Sequence, residues 1–296
     1  MSEYKTITPG TIPVPQLHGY LLGSVNPRPI AFVATVDENG NNNLAPFSFF
    51  NVFGANPPIV AFSPARRGRD NTTKDTYENI KRTGECTVNI VNYNMTHQMV
   101  LASSDYATDV DEFVKAGFTP EKSELVSPAR VAESPSQMEC KVLDIINYGE
   151  LAGGGNLIIA EVVKIHVKTN VLGDDAKIDP FKIDTVGRCG GLYYTRPKDA
   201  LFEIANPRGK DNIGFDKMPE RVKNSKVLTG NDLGQLGKVN ELPTGEEVRD
   251  FVNASTELKN LLNEGSIEVR LHTLAKKQIE KGDLNTAWLI LMANKV

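Results

Sequence analysis

The sequence predicts a mainly β protein, an antiparallel barrel with a few helices, followed by an α-helical C-terminal extension. Three observations predict it. Short apolar runs, alternating or continuous, recur at 30–36, 58–63, 86–91, 138–146, 157–168 and 190–195, as half-buried and buried strands do. Turn-like loops separate most of them, so the βαβ rhythm of a parallel sheet is absent and a closed or partly open antiparallel barrel accounts for the pattern. After Asn206-Pro207 the composition shifts to Gly, Asn, Asp and Lys, and from Thr244 onward apolar residues recur at helical spacing. The expected organisation is a barrel domain over 1–205 and an extension over 206–296, irregular and then helical.

The elements follow in order. In the strand at 30–36, Ile30, Phe32, Ala34 and Val36 share one face and Ala31, Val33 and Thr35 the other. The second set is small and is expected to leave room beside the strand for a planar ligand. Past a turn at 38–41, the segment from Asn43 to Asn51 contains Pro46, which cannot donate a ladder hydrogen bond, so an edge strand or bulge is expected. The strand at 58–63 ends in the cationic loop Arg66-Arg67-Gly68-Arg69. A helix over 75–82 comes next, with Asp75 as its cap, Glu78 completing a capping box and Gly84 as its stop. Another helix is expected at 94–102. The polar, acidic stretch 103–135 reads as a surface excursion with one helical turn near 109–116; excursions of this length serve as lids, partner-facing arms or sheet coverings. Gly154-Gly155 suits a tight hairpin turn. In the extension, helices are expected over 245–263, 266–281 and 284–293, the last holding the only tryptophan, Trp288.

Composition excludes several classes. The chain has 296 residues, 40% of them hydrophobic, and a net charge of −4. That balance offers nothing to nucleic acid. Apolar runs such as Leu157-Ile158-Ile159-Ala160 fall far short of the ~18 residues that cross a bilayer. The Thr- and Pro-rich beginning lacks the charged and apolar regions of a secretory signal, so a cytoplasmic location is expected. Three cysteines far apart in sequence give no disulfide framework, and Cys86 and Cys140, in strand-like runs, are expected to be inert core thiols. The four histidines lack metal-ligand spacing. No nucleophile elbow, P-loop or dinucleotide glycine pattern is present.

What remains points to a flat ring with a phosphate tail. The helix start after Lys74 offers unpaired N–H groups and a positive partial charge, to which Lys74, Thr76 and one of Arg66, Arg67 and Arg69 can add. Asp75 opposes this, because a carboxylate repels phosphate. Backbone groups near Pro46, the side chains of Asn43, Ser48 and Asn51, and the rings of Phe47, Phe49 and Phe50 could bound a heterocycle.

Several strings also carry a resemblance: Arg28-Pro29-Ile30-Ala31-Phe32-Val33, Asn43-Leu44-Ala45-Pro46-Phe47-Ser48-Phe49-Phe50, Lys74-Asp75-Thr76-Tyr77-Glu78, Thr83-Gly84-Glu85-Cys86-Thr87-Val88-Asn89 and Gly187-Arg188-Cys189-Gly190-Gly191. In order and spacing they resemble the flavin reductase-like family of FMN-binding split barrels, over roughly residues 15–200. The resemblance implies an antiparallel Greek-key barrel, a homodimer and FMN near the subunit interface. Asn43, Leu44, Ala45, Ser48, Phe49 and Phe50 would line the flavin ring with Thr35 beside them; Ser63, Arg67, Lys74, Asp75 and Thr76 would hold the ribityl phosphate; Arg188 would lie near the site. It further implies an FMN-dependent oxidoreductase drawing on NADH or NADPH and passing electrons to a flavin, a partner protein or a metal complex. One departure matters: where some members carry Gly-Asp-His, whose histidine helps place the nicotinamide, this chain has Gly154-Gly155-Asn156. A flavin-binding electron carrier without its own nicotinamide site is therefore the alternative, and a flavin-free barrel with another ligand such as haem is a third reading.

Overall fold

In the N-terminal unit, which spans Met1–Phe202, the chain runs through α1 (Val14–Ser24), β1 (Ala31–Val36), β2 (Asn42–Phe47), β3 (Phe50–Ala55), β4 (Pro58–Phe62), α2 (Asp75–Thr83), β5 (Glu85–Ile90), α3 (Thr96–Leu101), α4 (Glu112–Ala116), β6 (Pro120–Glu121), β7 (Arg130–Val131), β8 (Ser136–Tyr148), β9 (Gly155–Val167), α5 (Pro180–Ile183), β10 (Gly187–Arg188) and β11 (Tyr194–Thr195). The computed structural model describes residues 3–204, 212–262 and 267–293. The boundary expected at 205/206 lies outside the described residues.

Seven strands form one antiparallel sheet in the order β2-β1-β5-β8-β9-β4-β3. Its two end strands, β2 and β3, are joined by Ser48 and Phe49 alone. A flat sheet of seven strands would hold its edges about 29 Å apart, whereas so short a link spans about 10 Å. The sheet must roll until its edges approach, and the result is a barrel split along one seam.

Two apolar layers hold it. Inside, Ala31, Val33, Phe62, Val88, Cys140, Ile158 and Ala160 pack together, and α2 adds Tyr77 and Ile80. Outside β1, Phe32 and Ala34 pack under Met95, Met99, Phe113 and Phe118. β1 is thus buried along its whole length. The small inner face of β1 is therefore filled by core side chains and α2, and leaves no room for a ligand, contrary to the sequence expectation. Cys86 faces Cys140 across β5 and β8. The hydrogen bond with Cys140 and complete burial hold the Cys86 thiol well above its usual range, so it stays protonated.

Other expectations shift. Residues 190–195 form no continuous strand: Gly191 takes a left-handed turn (φ 61°) between the two-residue strands β10 and β11. The β8–β9 hairpin turns over 149–154, with Gly149 and Gly153 at φ 87° and 83°, and Gly155 already lies in β9. Helix α1 was not foreseen, because none of its residues is buried and no apolar stripe announces it.

The C-terminal unit, Glu203–Val296, contains α6 (Glu220–Lys223), α7 (Gly230–Leu236), α8 (Gly245–Ala254), α9 (Thr256–Leu262), α10 (Ile267–Glu280) and α11 (Leu284–Met292). The span expected to be irregular thus holds α6 and α7, and the helix expected over 245–263 breaks at Ser255, which is extended (ψ 110°). Val222, Leu236, Val248, Leu271, Ile279, Trp288 and Leu291 form its core, and the Trp288 indole donates to the Leu236 carbonyl at 3.1 Å.

Phe32 is fully buried and meets Phe118 edge-on at 5.1 Å. Phe32→Ala is expected to lower the unfolding free energy of the barrel by about 3–5 kcal/mol, read from urea unfolding by circular dichroism; a loss under about 1 kcal/mol would show that the outer layer contributes little.

Candidate functional site

A cavity of about 380 Å³ opens where the β2–β3 link meets the start of α2, within the ~300–1,000 Å³ of small-molecule sites. Asn43, Ala45, Pro46 and Phe47 supply one wall, Ser48 and Phe49 the link, and Ser63, Arg67, Lys74, Asp75 and Thr76 the opposite end. Ala65 of the loop after β4, His18 and Leu22 of α1, the segment 102–106 after α3, and Glu112 of α4 complete it.

Nine of the expected site residues line this cavity: Asn43, Ala45, Ser48, Phe49, Ser63, Arg67, Lys74, Asp75 and Thr76. Four do not. The Leu44 side chain turns into the outer core, since alternation along β2 sends it away from Asn43 and Ala45. Phe50 packs on the barrel core. Thr35 is fully buried behind Asn43, its hydroxyl accepting from the side-chain amides of Asn43 (3.2 Å) and Asn79 (3.1 Å). Arg188 lines a smaller neighbouring cavity.

The start of α2 is presented by a buried polar tie. Asn43 donates from Nδ2 to Thr76 Oγ1 at 2.9 Å as well as to Thr35, fastening the helix to β1 and β2. Thr76 is only 1% exposed, so its hydroxyl already holds the scaffold together. The expected capping box does not form. Lys74 is the residue before the helix, no side chain caps it, and Glu78 instead accepts from Thr73 Oγ1 at 2.6 Å. Asp75, as the first helical residue, faces Arg67 (3.3 Å) and Thr108 (3.2 Å) rather than the helix amides. The Tyr77 and Glu78 amides bond the Lys74 carbonyl; those of Asp75 and Thr76 have no acceptor within the helix, and the peptide dipoles converge there.

Of the three arginines in the loop, Arg67 faces the cavity. Arg66 turns back onto Asn71, and the Arg69 side chain is 72% exposed. Asp105, from the segment after α3, gathers these charges: Lys74 Nζ lies at 3.3 Å, Arg67 Nε at 3.5 Å and Arg69 Nη1 at 3.7 Å. Lys74 above all, with Arg67, holds the Asp105 carboxyl below its usual value. Sequence reading missed Asp105, Glu112, His18 and Leu22, because each reaches the cavity from an element distant in the chain. Asn156 is 2% exposed and tied to the Ser63 hydroxyl and the Pro64 carbonyl, so it serves the loop that carries Ser63.

The flavin reductase like domain matches residues 22–196, and the chain belongs to that family of flavin-dependent oxidoreductases. An uncharacterized protein of Aquifex aeolicus is 36% identical over 180 residues, 61% of this chain and 89% of its own. Nitrilotriacetate monooxygenase component B from Bacillus cereus superposes with a TM-score of 0.63 at 29% identity, over 70% of this chain and 100% of that one. The 2-nitrobenzoate 2-nitroreductase NbaA of Pseudomonas fluorescens gives 0.59 at 26% identity, over 70% and 98%. Among the described residues, no helix is long and apolar enough to cross a membrane.

Glu112 sits in the cavity wall, 8% exposed, accepting from the Leu44 amide at 2.9 Å. Burial pushes its carboxyl up from 4.5, against the pull of that hydrogen bond. Because the folded value exceeds the unfolded one, ionising Glu112 costs stability: the cost is absent below 4.5 and complete once pH passes the raised folded value. Glu112→Gln keeps an acceptor for Leu44 and removes the charge. Its melting temperature is expected to exceed that of the wild type at about pH 7 and to converge on it near about pH 4; an offset that does not change with pH would rule out this account.

Proposed function

We propose that the cavity holds FMN and that the protein passes electrons from NADH or NADPH through it to a free flavin, a partner protein or a metal complex. One arrangement carries the reading: unpaired helix amides, Lys74 and Arg67 at one end of a cavity whose other wall is Pro46, Phe47 and Phe49. These residues fit the group. Asn43, Ala45, Ser48 and Phe49 would meet the ring, and Ser63, Arg67, Lys74, Asp75 and Thr76 the phosphate, which would draw Lys74 and Arg67 from Asp105 and Asp75 and meet the helix start. When bound, FMN supplies the hydride acceptance and the onward electron transfer.

The chain's own residues bind, orient and shield. Phe47, Phe49 and Pro46 exclude water from one side, Ser48 offers a polar contact to the ring edge, and Lys74 and Arg67 neutralise phosphate charge. No side-chain acid or nucleophile is needed. Likeness to a monooxygenase B component supports an acceptor that is a partner protein or its flavin. Exposed Val52, Phe53, Leu143, Leu192 and Tyr193 would suit a homodimer interface. The second reading, an electron carrier reduced only by a partner, is favoured by Asn156, which is committed to Ser63 and Pro64 and offers no imidazole.

The test is reconstitution with FMN followed by NADH or NADPH under anaerobic conditions. Loss of nicotinamide absorbance with bleaching of the flavin is expected. Flavin binding with no bleaching by either nucleotide would leave the carrier, and no flavin binding would end both readings.

Asp105 competes with an incoming phosphate for Lys74 and Arg67, which gives two opposite expectations. Lys74→Ala should weaken FMN binding about 10- to 100-fold, the loss of one charge-assisted hydrogen bond, while Asp105→Asn should strengthen it. Both are read by quenching of free FMN fluorescence; unchanged affinity in both variants would remove the phosphate from this wall.

A further inference from the structure

A smaller cavity of about 170 Å³ adjoins the large one. The two share Pro46, Ser48 and Ser103, and the smaller one includes none of Arg67, Lys74, Asp75 and Thr76. Arg188 and Tyr194 form its far side. The Arg188 guanidinium lies over the Tyr194 ring, 4.5 Å from its centre, and its side-chain hydrogen bond is a long one, 3.5 Å, to the Tyr193 carbonyl. Among the described residues no carboxylate pairs with it.

A second arginine stands behind it. Arg28 is 4% exposed, and its main chain exchanges two hydrogen bonds with that of Arg188, at 2.9 and 2.8 Å. Its guanidinium donates to the carbonyls of Leu22, Val25 and Cys189 and to Ser48 Oγ, again with no carboxylate. Gly187 makes the pairing close: a Cβ there would stand 2.8 Å from the Pro27 Cβ. Two cations on paired backbone positions repel each other, and burial together with Arg188 depresses Arg28. An anion placed here relieves that repulsion. Ser48 accepts from Arg28, which leaves its hydroxyl proton for another acceptor.

Resting on the flavin reading above, we propose that Arg188, seated on Tyr194, anchors a second-substrate subsite that opens off the flavin cavity and takes a carboxylate or phosphate oxyanion of the molecule that exchanges electrons with the flavin. A planar guanidinium meets such a group with two parallel hydrogen bonds. At about 170 Å³, against a water's share of about 30 Å³, the space admits an oxyanion head and a few atoms; the rest of the molecule occupies the larger cavity.

The experiment compares wild type with Arg188→Gln and Arg188→Lys, after melting curves establish that each folds. FMN affinity should not change. Oxidised nicotinamide mononucleotide, as the phosphate probe, and benzoate, as the carboxylate probe, are titrated into the FMN-loaded protein and followed by perturbation of the flavin spectrum. At least one should bind about 10- to 100-fold more weakly to Arg188→Gln than to wild type, with Arg188→Lys in between, weaker than wild type and tighter than Arg188→Gln; the one affected identifies the source of the anion. The KM for reduced nicotinamide riboside, which lacks the phosphate, should not move. Equal binding of both probes to wild type and Arg188→Gln, binding of neither to wild type, or an equal loss of FMN would overturn the subsite. If wild type takes up no FMN, it is the flavin reading that fails, and the same probes followed by calorimetry on the flavin-free protein still decide Arg188.

Discussion

The two-residue join between β2 and β3 is the constraint on which the rest depends. Ser48 and Phe49 force the ends of a seven-strand order together, but β2 and β3 do not pair with each other. The Ser63 amide bonds the Phe49 carbonyl at 2.9 Å, so the join is pinned to the end of β4. A seam closed by a covalent link rather than by a ladder leaves a gap, and the large cavity occupies it. Pro46, with no N–H to offer, suits a strand at such an edge.

Around that gap the polar groups divide into those that build and those that face outward. Thr35, Asn79, Asn43 and Thr76 form a buried chain of hydrogen bonds that fixes the axis of α2. Buried groups of this kind are costly unless satisfied, and these satisfy one another. Lys74, Arg67, Asp75 and Asp105 lie at the rim, where solvent screening makes their pairings individually weak and easily rearranged. A rigid tie beneath an exchangeable charge cluster keeps a helix start in place while its counter-charges change.

Much of this was legible in the chain, and the failures have physical causes. Strands at 30–36, 58–63, 86–91, 138–146 and 157–168 were plain because alternation and apolar runs follow directly from burial. The stop of α2 at Gly84 was equally plain, since its φ of 68° favours glycine. The cap was misread by one residue: Asp75 and Glu78 have the spacing of a capping box, but Arg67 and Thr108, from elsewhere in the chain, attract the aspartate. Site residues close in sequence to Pro46 and Lys74 could be named in advance. Asp105, Glu112, His18 and Leu22 could not, because only the rolled sheet brings their elements to the seam. Leu44 and Phe50 show the opposite limit: a motif names a segment, while alternation decides which of its side chains face a cavity.

Trp288 lies in the core of the C-terminal unit, and the sequence holds no other tryptophan. Indole emission excited at the red edge of protein absorption therefore reports on the helical unit alone, whereas far-ultraviolet dichroism reports on both units. The molecule thus carries an intrinsic optical label for one of its two units, and whether the two melt as one cooperative block or in separate steps can be followed without attaching any dye.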